Sequence, residues 1–230
     1  MFHIAYGLPA GARYREFTIP KRSGGTRRIC APRKALLNLQ RDMLRLIEPD
    51  YQPRTHVHGF VSGRQRSIVS NARQHVGKRW VLNIDLEDFF ETIHFGRVRG
   101  RLVAPPYDYP EEIAQFVAHI ACFETEKEVN GTRRTTSVLM PGGALSPLLA
   151  NIVTDKLDAE LARFCRQLGC TYTRYADDVT ISSNRRTFPA PIGRFADPES
   201  FLEFTLSDSF QQIVEDNGFR INHDKTRLLG

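Results

Sequence analysis

The chain has 230 residues, 41% of them hydrophobic, enough for a substantial core in one large domain or two packed lobes. It has no run of about 18 apolar residues, and Met1-Phe2-His3-Ile4 lacks the charged start and apolar centre of an export signal, so the expectation is a cytoplasmic chain with no membrane partner. The net charge of +6 conceals an asymmetry: residues 1–80 carry sixteen Lys/Arg against four Asp/Glu, leaving sixteen against twenty-two for residues 81–230, a front suited to phosphate backbones and a remainder suited to divalent cations.

In chain order, "REFTIPKRSGGTRRICAPRK" alternates like two strands around Ser23-Gly24-Gly25 and predicts a hairpin carrying Lys21, Arg22, Arg27 and Arg28. "RKALLNLQRDMLRLIEP" places Leu36, Leu37, Gln40, Met43, Leu44 and Ile47 at helical spacing, with Arg33, Lys34, Arg41 and Arg45 on other faces. "THVHGFVSGRQRSIVSNARQHVGK" reads as a polar loop. "RWVLNIDLEDFFETI" passes from a strand, Trp80 to Leu86, into a helix-like stretch. "PEEIAQFVAHIACFE" predicts a helix and "EVNGTRRTTSVL" a hairpin around Asn130-Gly131. "SPLLANIVTDKLDAELARFCRQLG" predicts the strongest helix, with Ser146 as cap, Pro147 in the first turn and Gly169 at the end. "DPESFLEFTLSDSFQQIVEDNG" predicts another, capped by Asp197. "FRINHDKTRLLG" closes as strand and turn. The mixture of strands and helices without a strict βαβ rhythm favours α+β. Cys30, Cys122, Cys165 and Cys170 show no ligand spacing and are expected to be reduced packing residues.

Asp177 and Asp178 sit between two β-rich runs, Thr171–Tyr175 and Val179–Ser182, where adjacent carboxylates repel and burial of either is costly. A solvated hairpin tip would tolerate them, but Tyr172, Tyr175, Val179 and Ile181 point to a central sheet. Asp85 ends a second apolar strand in "VLNIDLEDFF". If the two strands are neighbours, the three acids converge, and bound Mg²⁺ would keep them ionised and serve phosphoryl transfer.

"YADD" in an apolar hairpin, preceded by "NIDLEDFF", resembles the metal-binding motifs of reverse transcriptases of the bacterial retron and group II intron lineage. "IPKRSGGTRRICAP", "QRDML", "NARQH", "MPGGALSPLLANI" and "GFRINHDKT" follow that family's order, and "NARQH" is most similar to the retron branch. The resemblance covers residues 15–230. It implies a right-hand polymerase with fingers at 1–80 and 105–138 and palm at 81–104 and 139–230, the thumb apparently missing. It also implies RNA-templated addition of dNTPs to a primer hydroxyl with two Mg²⁺ ions.

By the same resemblance Asp85 and Asp177 bridge the metals, Asp178 assists, and the Leu86 carbonyl is a further ligand. Phe90 is the steric gate against a ribose 2′-OH, with Phe89 as core. Lys21 and Arg28 clamp the triphosphate, Arg27 competing for the role, and Lys225 protonates departing pyrophosphate. Gly142 and Gly143 let backbone approach the nucleotide, although the Gln the family carries after the proline is missing beside Pro141. His56 and His58 lack a third metal ligand, and His75 orders its loop or touches RNA. The retron likeness further implies an RNA template and DNA/RNA primer, a structured noncoding RNA, a role in phage defence and room for an effector protein. The alternatives are an untemplated or abortive-infection polymerase and an inactive RNA-binding relative.

Overall fold

The computed structural model describes residues 3–7, 9–20, 24–63, 65–129, 132–197 and 202–230. In chain order the elements are α1 (Ala10–Arg13), β1 (Tyr14–Pro20), β2 (Thr26–Pro32), α2 (Lys34–Ile47), α3 (Ile68–Arg73), β3 (Trp80–Leu86), α4 (Phe95–Val103), α5 (Glu111–Ala121) and β4 (Cys122–Val129). There follow β5 (Thr132–Leu139), α6 (Ser146–Gln167), β6 (Thr171–Tyr175), β7 (Asp178–Ser183), β8 (Gly193–Asp197), β9 (Leu202–Leu206), α7 (Asp208–Asp216) and β10 (Ile221–Leu229). The architecture is α+β. Two compact units form, residues 1–52 with 90–153 and residues 53–89 with 154–230. Residues 53–80 therefore pack with the second unit rather than with the basic segment that precedes them, because Val57 bridges to Arg174 beside β6.

In the first unit, β1 and β2 pair from Tyr14↔Pro32 to Pro20↔Thr26. Gly24 and Gly25 take φ of +88° and +76°, which glycine adopts without a Cβ penalty. Lys21, Arg22 and Ser23 lie outside the described residues. α2 buries Leu36, Leu39, Gln40 and Ile47, half-buries Leu37, Met43 and Leu44, and exposes Arg33, Lys34, Arg41 and Arg45. Buried Gln40 is a polar fastener: its Nε2 donates to Ile120 O at 2.6 Å and its Oε1 accepts from Ala144 N at 2.8 Å. β4 and β5 pair from Cys122↔Leu139 to Val129↔Thr132, while Asn130 and Gly131, the expected turn, lie outside the described residues.

The second unit is built on an antiparallel sheet of order β10-β3-β7-β6. α6 contributes its first turns to the former unit and the rest to this one. Gly169 follows it at φ +68°, a left-handed stop. Ser146 opens the helix without capping it, since its buried Oγ has no hydrogen-bond partner among the described residues.

Several expectations change. The stretch after Leu86 is a series of turns, and the helix begins only at Phe95, where His94 Nδ1 accepts from Gly96 N. Within the polar loop, a Ser67–Ser70 capping box starts α3. Leu202-Glu203-Phe204-Thr205-Leu206 alternates at period two and forms β9 against β8, so the helix predicted from Asp197 starts at Asp208 under a Ser207 cap. The four cysteines are free and buried. No described helix is long and apolar enough to cross a membrane.

Candidate active site

Side-chain alternation explains the position of the first acid. On β3, Trp80, Leu82, Ile84 and Leu86 are buried on one face, which puts Asp85 on the other, half-open face. Asp178 stands opposite Asp85 in the antiparallel register of β3 and β7. Residues so paired have Cα atoms about 4.5–5.5 Å apart. Asp177 lies in the β6–β7 turn, and its carbonyl accepts the Leu86 N–H at 3.0 Å. One end of the sheet thus collects Asp85, the Leu86 backbone, Asp177 and Asp178.

Lys225 reaches this end through a bulge. Asn222 pairs with Asp85 and Arg227 with Asn83, so β10 spends five residues where β3 spends two. Such an irregularity re-aims side chains. Lys225 Nζ consequently lies 2.8 Å from Asp85 Oδ1, and this carboxylate raises the ammonium pKa. The Asp178 carboxyl is pushed up to about 6 by partial burial and by the negative charges of Asp177 and Asp85. Asp178 is nevertheless open to solvent, so the like charges are the component a cation would relieve.

The turn itself is held by residues that sequence reasoning did not single out. Arg174, fully buried on β6, makes a two-pronged ion pair with buried Asp158 of α6, Nε to Oδ1 at 2.8 Å and Nη2 to Oδ2 at 2.7 Å. Its Nη1 donates to Ala176 O at 2.8 Å, and Ala176 takes a left-handed φ of +58° in the turn. Tyr172 Oη donates to Asp158 Oδ1 at 2.7 Å. Residues 56–58 line the edge of β6, with Arg174 N donating to His56 O and His58 N to Arg174 O. Gly59 follows, and a Cβ there would stand 2.3 Å from Ala176 N, so only glycine lets this segment lie against the turn. An arginine among β residues, "TYTRYADD", was the available signal.

His75 of "NARQH" orders its loop onto the sheet. Its ring nitrogens are each 2.7 Å from a hydroxyl, Ser182 Oγ at Nδ1 and Thr173 Oγ1 at Nε2. Burial first, then Lys78 and His58, lower its pKa to about 4 from the ordinary 6.5. The folded chain keeps the ring neutral where the unfolded chain protonates it. The His75 contribution is therefore whole above pH 6.5 and is lost as pH falls towards 4, up to about 3 kcal/mol. Urea unfolding at pH 7.5 and pH 4.5 should show a larger acid loss for the parent than for His75→Gln; equal losses would remove His75 from this account.

Divalent-cation chemistry suits this donor set. Three carboxylates and a backbone carbonyl are hard oxygen ligands, the mutual repulsion at Asp178 is of the kind a cation relieves, and the Lys225 ammonium already stands against Asp85 as a positive charge. Among the described residues no three His, Cys, Asp or Glu side chains are already gathered as a cage. His56 and His58 make no metal site: His56 packs edge-on to Tyr172, and His58 Nδ1 shares a hydrogen bond with Ser70 Oγ.

The remaining candidates belong to the first unit. Arg28 lies against Glu16, Nε to Oε2 at 2.9 Å, and Nη1 donates to Thr125 Oγ1. Lys21 and the Arg27 side chain lie outside the description. Phe90 is half-buried, whereas Phe89, in the second unit, is buried and stacked on Phe219. Gly142 has φ +111°, which favours glycine, and a Cβ on Gly143 would stand 2.7 Å from Ser146 Oγ, which would have to turn aside.

The family described as reverse transcriptase (RNA-dependent DNA polymerase) matches residues 19–229. The chain is 38% identical over 224 residues to the retron Mx65 reverse transcriptase of Myxococcus xanthus, covering 94% of this chain and 48% of that protein. It is 34% identical over 225 residues to the retron Ec86 reverse transcriptase of Escherichia coli, covering 96% and 60%. The chain spans about half the length of the curated relatives it matches. Among solved structures, telomerase from Candida albicans with a fragment of telomeric RNA superposes with a TM-score of 0.53 at 11% identity, over 97% of this chain and 44% of that one. Apo telomerase from Candida tropicalis, truncated from its C-terminal domain, gives 0.53 at 12%, over 96% and 51%. At these identities the likeness is one of fold.

Proposed function

Since the chain belongs to the reverse transcriptase family, of the retron type, and has the fingers and palm fold of that family, we propose that it extends a primer hydroxyl with dNTPs on an RNA template. The observation that carries this reading is the register that sets Asp85 opposite Asp178, with Asp177 tied to Leu86.

Asp85, Asp177, Asp178 and the Leu86 carbonyl are the proposed ligands of two Mg²⁺ ions, which when bound supply charge to activate the attacking hydroxyl and stabilise the leaving oxygen. Lys225 is assigned the proton given to departing pyrophosphate, a role supported by its 2.8 Å contact with Asp85. Lys21 and Arg28 are assigned the triphosphate, and Gly142 and Gly143 the close approach of backbone to the nucleotide. The finer reading is a retron enzyme in the cytoplasm that copies a structured noncoding RNA in phage defence, alongside an effector protein. The identities with retron relatives support it. Extension of oligo(dT) on poly(rA) with Mg²⁺ tests the polymerase; no incorporation by the parent would sink it.

Phe90 is the proposed sugar gate, because a bulky ring there would overlap a ribose 2′-OH. Phe90→Val should raise rNTP use relative to dNTP use at least about tenfold, read as the ratio of kcat/KM values. An unchanged ratio would move the gate elsewhere.

A further inference from the structure

At the end of β3 away from the acids, the second unit holds a cleft of about 740 Å³. Trp80 pairs with Ser183 and Asp85 with Asp178, so some 16 Å of strand separates this cleft from the acidic end. Three arginines line it, Arg79, Arg186 and Arg194, all exposed. Among the described residues none of the three has a carboxylate within salt-bridge distance, although Asp/Glu make up 26 of the 230 residues.

Beneath the charges is an aromatic floor. Trp80 and Phe195 have ring centroids 6.2 Å apart, and Phe204 makes edge contacts with both Phe195 and Phe188 at 5.5 and 5.7 Å. The indole Nε1 donates to Arg185 O at 3.2 Å, which fixes the Trp80 ring. Gly193 permits the packing, for a Cβ there would stand 2.5 Å from the Phe204 ring. The rings cover one another, so they offer a rigid apolar floor rather than separate platforms.

Guanidinium groups with no acidic partner among the described residues suit phosphate, and an apolar floor between them suits a base. We propose that this cleft binds single-stranded nucleic acid, with Arg79, Arg186 and Arg194 on successive phosphates and one or two bases against the floor of Trp80, Phe188 and Phe195. It is a second strand-binding site, remote from the catalytic acids, that would hold template or product away from the point of synthesis. The choice of ligand rests on the polymerase reading. The test involves no catalysis, so either can fail alone.

Trp80 is the chain's single tryptophan and therefore reports on this cleft. The chain is titrated with oligo(rA) and, separately, oligo(dT) of about ten nucleotides, while tryptophan fluorescence and the anisotropy of a labelled strand are followed. Binding should change both signals together, and the two titrations show whether RNA, DNA or both are held. Arg79→Gln/Arg186→Gln/Arg194→Gln should weaken binding detected by fluorescence at least about tenfold and flatten the slope of log K against log salt by about 2. The triple Arg→Lys variant should keep that slope, and both variants should retain the parental Tm. A labelled strand that binds without moving the tryptophan signal would overturn the proposal. So would a Gln variant with parental affinity and slope, or a parent that binds neither strand. A parent that binds both ways yet fails to extend a primer would strike the polymerase reading and leave this site standing.

Discussion

Asp177→Asn is expected to lower primer extension on poly(rA)/oligo(dT) about 10³-fold or more, equivalent to roughly 4 kcal/mol of transition-state stabilisation. The substitution keeps shape and removes a charge. Its carbonyl-to-Leu86 bond is made by the backbone and survives. Partial burial first, and then the like charges of Asp177 and Asp85, raise the Asp178 carboxyl to about 6, so removing one of those charges should leave Tm equal to the parent's or slightly above it. That pairing of outcomes matters, because a fold defect would lower activity and Tm together. Asp85→Asn should behave alike in activity, and its loss of the half-exposed Lys225 partner should cost little stability. Incorporation by either variant at the parental rate would end the catalytic assignment.

These acids were legible in the sequence for a simple reason. Leu82, Ile84 and Leu86 alternate with Asp85, and Val179 and Ile181 alternate from Asp178, so once the two strands pair with these apolar residues on one face their acids fall together on the other. The β1–β2 hairpin announced itself through Gly24-Gly25, and α2 through its apolar spacing. Other features depend on tertiary partners that spacing does not carry. Asp197-Pro198 has the signature of a helix start, yet the alternating Leu202–Leu206 run pairs with β8 and the helix waits for Ser207. Lys225 reaches Asp85 only because β10 bulges, and a bulge leaves no mark in period-two patterning. Arg28 reads as a free cation in sequence and meets Glu16 from the neighbouring strand. The compact units each join distant segments, 1–52 with 90–153 and 53–89 with 154–230, and it is pairing such as Val57 with Arg174, not a local signal, that draws the inner segments in.

The least legible feature should have the largest effect on stability. An arginine in a strand and an aspartate on a helix are ordinarily solvent-facing, yet Arg174 and Asp158 are 0% and 1% exposed and satisfy each other at two contacts. Asp158→Ala strands a buried guanidinium and should cost about 3–5 kcal/mol, a Tm loss of roughly 10 °C in a chain of this size. Buried pairs can often be exchanged for apolar residues without that loss. Asp158→Leu/Arg174→Met/Tyr172→Phe should therefore recover most of the Tm, since it removes both charges and the hydroxyl that served them. Activity should not return with it. Arg174 Nη1 also donates to the carbonyl of Ala176, the left-handed residue that sets the angle of Asp177 and Asp178, and methionine cannot replace that bond. Primer extension by the triple variant should stay at least about tenfold below the parent, since a small misplacement of reacting groups costs that much. A triple variant with parental Tm and parental activity would show that the ion pair serves folding alone and that the turn holds its shape without it.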